Sequence, residues 1–149
     1  PDTVFRELKS WTEFKNKGIR YYSGDATYEK TFTVSGKQLK DHRVYLDLGN
    51  VLELTTIQLN GKNLGVQWKS PFRVDVTEEI KAGKNTLEVE VTNLWPNRLI
   101  GDSKLPEEDR YTRTNVKKFD VEDSEKYMRK SGLLGPVRLY FVENVNISD

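Results

Sequence analysis

Few residues in this chain are of types that carry out covalent chemistry. Its one histidine, His42, stands in Lys40-Asp41-His42-Arg43. A Ser-His-Asp relay needs a histidine held between a nucleophile and a carboxylate. His42 sits in a charged turn ahead of a strand, and no nucleophile-elbow pattern accompanies it, so it reads as a surface histidine. A single histidine does not build an imidazole metal site. The absence of cysteine removes disulfides, thiolate metal sites and cysteine nucleophiles. Glu107-Glu108-Asp109 offers carboxylates. Glycoside hydrolysis needs two carboxyl groups held across a bond on rigid elements, whereas neighbours in a charged loop read as solvated surface. A structural calcium would need a loop of spaced oxygen ligands. Asp25 and Asp102 are only nominal candidates, because no Asp-rich loop surrounds them. No catalytic residue, metal ligand or cofactor is assigned.

The aromatic residues offer binding chemistry instead. Trp11, Trp68 and Trp95 stand near element ends, and Tyr21-Tyr22 and Tyr111 lie in irregular segments. Sugar rings present apolar C–H faces that stack on aromatic planes, while Asn, Asp and Arg bind their hydroxyls. Trp95-Pro96-Asn97-Arg98 has both ingredients. The same tryptophans would also serve to cap a core or fill a seam between domains, and this is the reading for Trp11. The candidate residues for contact with a carbohydrate or a neighbouring domain are Trp68, Trp95, Asn97, Arg98, Asp102 and Tyr111. Asn146-Ile147-Ser148 matches the short N-glycosylation sequon.

These residues must be positioned by strands. Val44, Leu46 and Leu48 alternate with polar neighbours, as do Phe72, Val74 and Val76, then Leu87, Val89 and Val91, then Val137, Leu139 and Phe141. Period-2 alternation is the signature of a half-buried strand. Residues 28–34 alternate less cleanly, with Lys30 on the face of Phe32 and Val34, which suits an edge strand. Asn60-Gly61 predicts a type I′ hairpin between 55–59 and 63–68. Gly83-Lys84-Asn85 reads as a second turn. Residues 77–81 read as one helical turn capped by Thr77. The best helix candidate elsewhere is 121–130. The expected fold is an all-β sandwich, or jelly roll, of about eight strands. It forms a single module over 1–149 with its core at about 27–142. One long irregular insertion, 95–131, is rich in charge yet carries Trp95, Tyr111 and Tyr127.

Composition narrows the partners. Lys and Arg number 24 and Asp and Glu 23, in 149 residues, for a formal charge of +1. Such balance gives no electrostatic footprint for nucleic acid. No apolar run reaches the ~20 residues of a membrane-spanning helix, and no secretory leader is visible at the start. The only methionine is Met128. The expectation is a domain cut from a larger polypeptide.

Five short pieces then occur in a recognisable order. They are Thr27-Tyr28-Glu29-Lys30-Thr31-Phe32-Thr33-Val34, Leu59-Asn60-Gly61-Lys62-Asn63-Leu64-Gly65, Phe72-Arg73-Val74-Asp75-Val76-Thr77, Gly83-Lys84-Asn85-Thr86-Leu87-Glu88-Val89 and Gly132-Leu133-Leu134-Gly135-Pro136-Val137-Arg138-Leu139. Together they resemble the galactose-binding-like "sugar-binding" domain of family 2-type glycoside hydrolases. Three segments carry a narrower resemblance: Tyr22-Ser23-Gly24-Asp25-Ala26-Thr27-Tyr28, Trp95-Pro96-Asn97-Arg98-Leu99-Ile100-Gly101-Asp102 and Ser131-Gly132-Leu133-Leu134-Gly135-Pro136. They are similar to the C-terminal β-sandwich of family 106-like α-L-rhamnosidases.

The resemblance implies a non-catalytic accessory domain whose parent is a bacterial, Bacteroides-like glycoside hydrolase acting on complex glycans. The parent would be secreted to the periplasm or beyond. The expected partner is the catalytic domain of the same polypeptide, which 95–131 would contact. The alternatives are an independent carbohydrate-binding module that takes an oligosaccharide, and a protein-interaction or adhesion domain.

Overall fold

The alternating runs become strands whose apolar faces turn toward one another. A computed structural model describes residues 3–114 and 123–143. In chain order the strands are β1 (Asp25–Val34), β2 (His42–Asp47), β3 (Asn50–Leu52), β4 (Leu54–Leu59), β5 (Lys62–Gln67), β6 (Arg73–Asp75), β7 (Gly83–Thr92), β8 (Gly132–Gly135) and β9 (Arg138–Glu143). Short helices α1 (Lys17–Arg20), α2 (Gly36–Leu39) and α3 (Pro96–Ser103) decorate them. The result is an all-β sandwich. A four-stranded sheet, β1-β7-β4-β5, faces a three-stranded one, β6-β2-β9, and β3 pairs with β8 at one end. Strand pairing is antiparallel throughout.

Val44, Leu46 and Leu48 meet Ile57, Leu59, Leu87, Val89 and Val91 in the interior. Burial of each such side chain contributes about 1.5–3 kcal/mol. A slip of one residue would turn these rows outward, so register is strongly specified. Thr55 shares the inward row and satisfies its hydroxyl on the Glu90 carbonyl at 2.8 Å. Among the described residues β1 pairs only with β7 and so lies at the edge of its sheet, with Lys30 exposed on it.

Asn60 and Gly61 both adopt positive φ, 53° and 82°, in the two-residue turn between β4 and β5. The Asn60 side chain also donates to the Glu79 carbonyl and to Asn85 Oδ1, and accepts from the Thr86 N–H.

Some sequence expectations are corrected. Gly83-Lys84-Asn85 opens β7 rather than separating two elements. Gly83 still breaks the chain direction with φ 90°, while Asn85 is buried and holds the Lys81 N–H and carbonyl. Residues 77–81 form a turn closed by Glu79 and Ile80 N–H groups on the Val76 carbonyl. Its cap is Asp75, whose carboxylate accepts from the Thr77 N–H and hydroxyl. The Thr77 hydroxyl is occupied by the Val44 N–H of β2. The insertion 95–131 is not irregular throughout, because it begins with the two-turn α3. That helix turns Asn97, Ile100, Gly101 and Asp102 inward, and a largely polar inner face hides helical periodicity. Of 121–130, the first two residues lie outside the described residues, and Ser124–Tyr127 is a 3-10 turn. The sequon at 146–148 also lies outside them.

The early chain closes one side of the sandwich. Trp11 is buried and donates its indole N–H to the Tyr28 hydroxyl, which fits the core-capping reading. Its backbone N–H reaches the Ser131 carbonyl at 3.0 Å, and Ser10 Oγ accepts from the Ser131 N–H at 3.1 Å. Further out, residues 3–8 line an open groove of about 990 Å³ shared with β1 and the start of β9. Phe5 is seated there against Tyr28 and Phe14, with ring centroids 5.5 and 5.0 Å away.

Candidate functional site

The candidate residues of the 95–131 segment are held by three separate anchors. In the first, Pro96 occupies the opening turn of α3, where its missing N–H costs nothing. Asn97 follows and is 2% exposed. Its amide accepts from the Arg129 N–H at 2.8 Å and donates to the Arg129 carbonyl at 2.7 Å. A weaker contact reaches Ser131 Oγ at 3.4 Å. Asn97 thus ties the start of α3 to the extended segment that leads into β8.

The second anchor is one helical turn on. Arg98 and Asp102 form an i,i+4 ion pair at 2.9 Å. Asp102 is also buried, and its Oδ2 accepts from the Thr112 N–H and hydroxyl at 2.9 and 2.6 Å. Burial pushes its carboxyl up, but the hydrogen bonds from Thr112 and the Tyr111 backbone, with the Arg98 charge, together outweigh this and leave it below the usual range. The Arg98 guanidinium lies under the Tyr111 ring, 4.5 Å from its centroid. Arg98 Nε is buried without a hydrogen-bond acceptor, so the side chain acts through its ion pair and ring contact. Gly101 makes room for this arrangement. A Cβ there would sit 2.5 Å from Arg98 Nη2 and 2.7 Å from Tyr21 Cβ.

The third anchor is Glu125. Its carboxylate takes hydrogen bonds from Lys104 at the end of α3, from the Tyr21 hydroxyl at 2.5 Å and from Arg20 at 2.7 Å. Lys104 is the largest influence, followed by Tyr21 and Arg20, and together they lower the Glu125 carboxyl to about 2. Sequence reasoning missed this hub. Its partners lie up to 105 residues from it in the sequence, and no local pattern sets it apart from its acidic neighbours Glu122 and Asp123.

The six candidate residues therefore divide. Asn97 and Asp102, expected to flank the aromatics as polar contacts, are turned inward and hold the segment in place. Arg98 is largely covered by Tyr111. Trp95 and Tyr111 are 66% and 78% exposed. Trp68, directly after β5, is 69% exposed, with the Lys69 ammonium 5.3 Å above its ring.

The remaining candidates do not converge on them. Glu107–Asp109 is an exposed 3-10 turn. His42 is half-buried, edge-on to Phe141. Asp25 accepts from the Thr92 hydroxyl at 2.6 Å. Among the described residues no cluster of His, Asp and Glu has the makings of a metal site, and no helix is long and apolar enough to cross a membrane. The groove beside residues 3–8 contains none of the six, and its walls are mainly apolar side chains such as Phe32, Leu46, Val89 and Leu139.

Two antiparallel sheets packed face to face, closed at one end by β3 and β8, place this protein among the galactose-binding-like β-sandwich domains. More specifically, the chain belongs to the family described as Glycosyl hydrolase 2 galactose-binding domain-like, which it matches over residues 11–133. It is 46% identical over 159 residues to a Formosa agariphila protein named "Putative beta-glucuronidase", covering 91% of this chain and 13% of that protein. Its fold overlays the rhamnosidase from Novosphingobium sp. PP1Y with a TM-score of 0.81 and 36% identity, over 93% of this chain and 13% of that one. A beta-glucuronidase from an uncultured Clostridium sp. overlays 58% of this chain and 15% of its own, with a TM-score of 0.53 and 34% identity. The chain thus spans about 13% of the length of the curated relative it matches.

Proposed function

We propose that this chain is a non-catalytic accessory domain of a glycoside hydrolase, packing against the catalytic domain of the same polypeptide and shaping its cleft. The observation that carries this reading is the share of length. Relatives bearing glycosidase names devote about 13% of their chains to this domain. The site supports it as well. Anchored segments hold their surface groups at low entropic cost on docking, and the three anchors fix the segment that presents Trp95 and Tyr111. The parent would act on complex glycans in the periplasm or outside the cell, in a Bacteroides-like bacterium.

The test compares the purified chain with the product of its complete open reading frame on aryl glycosides. Turnover by the longer protein and none by the chain alone is the expected result. Turnover by the chain alone would overturn the proposal.

A second reading, an independent carbohydrate-binding module, is favoured by one observation: Trp95 and Tyr111 keep exposed rings on the anchored segment. Calorimetry on the isolated chain with an oligosaccharide panel decides it. Unchanged binding by a Trp95→Ala variant would remove that residue from such a site.

A further inference from the structure

Strand register brings two tryptophans from distant parts of the sequence to one end of the four-stranded sheet. Thr55 points into the core, so Leu54 and Thr56 face outward. Thr56 pairs with Val66 and Thr55 with Gln67, and continuing that register by one pair puts Trp68 opposite Leu54. On its other side Leu54 pairs with Thr92 of β7. Leu94 is the next outward position past Thr92, since Asn93 is buried, and Trp95 follows at the mouth of α3. Val66, Trp68, Leu54, Leu94 and Trp95 are all exposed. By register they make an apolar strip at one end of the sheet's outer face, bordered by Thr56 and the exposed Glu90.

We infer that this strip is the docking surface for the next domain of the same polypeptide, an inference that rests on the accessory-domain reading above. Three features identify the occupant. First, a glycan platform needs polar groups converging on its aromatic ring. Here Trp68 stands opposite Leu54 and two residues from Val66, the Thr92 hydroxyl is committed to Asp25, and the Lys69 ammonium covers one side of the ring. Second, two exposed indoles and three aliphatic side chains present roughly 500 Å² of apolar surface, near the upper limit for a monomer. Such a patch suits domains joined in one chain, whose tether supplies a high effective concentration. Third, relatives of this chain carry most of their length outside this domain.

Hydroxyl-radical footprinting of the complete reading-frame product and of this chain alone tests the inference. Oxidation of Trp68 and Trp95 is expected to fall at least fivefold in the longer protein. Tyr140, on the opposite sheet against Arg73, is the unchanged reference. Equal oxidation of Trp68 in both proteins would overturn the docking surface while leaving the accessory reading intact. A reading frame with no further domain would overturn both. Protection of Trp68 in the chain alone that grows with its own concentration would reassign the strip to a second copy. Protection by oligosaccharides containing rhamnose and glucuronic acid would reassign it to a glycan.

Discussion

Replacing Asn97 with alanine tests whether the 95–131 segment is held by the first anchor. The variant loses two good hydrogen bonds to the Arg129 backbone and a weak one to Ser131 Oγ. Each good bond is worth about 1 kcal/mol net, and a buried group left unsatisfied adds more. Arg129 is itself exposed, so water can reach part of its freed backbone, which keeps the expected loss at ~2–3 kcal/mol. For a chain of this size each kcal/mol moves the melting temperature by about 2–4 °C, so a fall of roughly 5–10 °C is expected. Asn97→Asp keeps the acceptor for the Arg129 N–H but sets a carboxylate against the Arg129 carbonyl, and should lose at least as much. Thermal unfolding followed by circular dichroism, with a urea titration for the free energy, measures both. Hydrogen exchange should show faster opening at the Arg129 amide. A melting shift under 1 °C for Asn97→Ala would refute the anchoring argument.

Three further outcomes are expected. Gly132→Ala should cost about 3 kcal/mol in urea unfolding, because φ is 100° and the new Cβ would lie 2.5 Å from Trp11 Nε1, combining backbone strain with overpacking. Glu125 has a lowered carboxyl, so its contribution is full above the ordinary carboxylate range and is lost as pH falls from about 4.5 toward about 2. With the carboxylate 40% exposed, screening limits this to ~1 kcal/mol, and Glu125→Gln should flatten the pH dependence of melting across that window. Trp68→Ala should change folding stability by no more than ~0.5 kcal/mol, because the side chain is mostly solvated; a larger loss on thermal unfolding would show that Trp68 supports the sheet.

Much of the sandwich was legible because half-buried strands write their burial into alternate residues. Val44, Leu46 and Leu48, and Leu87, Val89 and Val91, fall inward as their spacing predicts. Asn60-Gly61 was equally readable, since few residue pairs tolerate two consecutive positive φ values. α3 was not, because its buried side includes Asn97, Gly101 and Asp102, whose burial rests on hydrogen bonds and close packing rather than hydrophobicity. Those bonds reach Thr112, Arg129 and Ser131, partners that no local pattern announces. Polar type alone therefore suggested surface contacts for Asn97 and Asp102, whereas the exposure of Trp68 and Trp95 depended on where their strands end.

The pairing of Ser10 and Trp11 with Ser131 bears on how this domain folds. Joining positions 121 residues apart costs about 4 kcal/mol of chain entropy by loop-closure scaling. Non-local pairings of this kind slow folding, because the entropy is lost before the contacts repay it. Until the chain has been made as far as Leu133, Trp11 lacks its backbone acceptor and Tyr28 lacks the Leu133 N–H that it accepts. Trp11 is therefore locked only once β8 is available to close the sandwich.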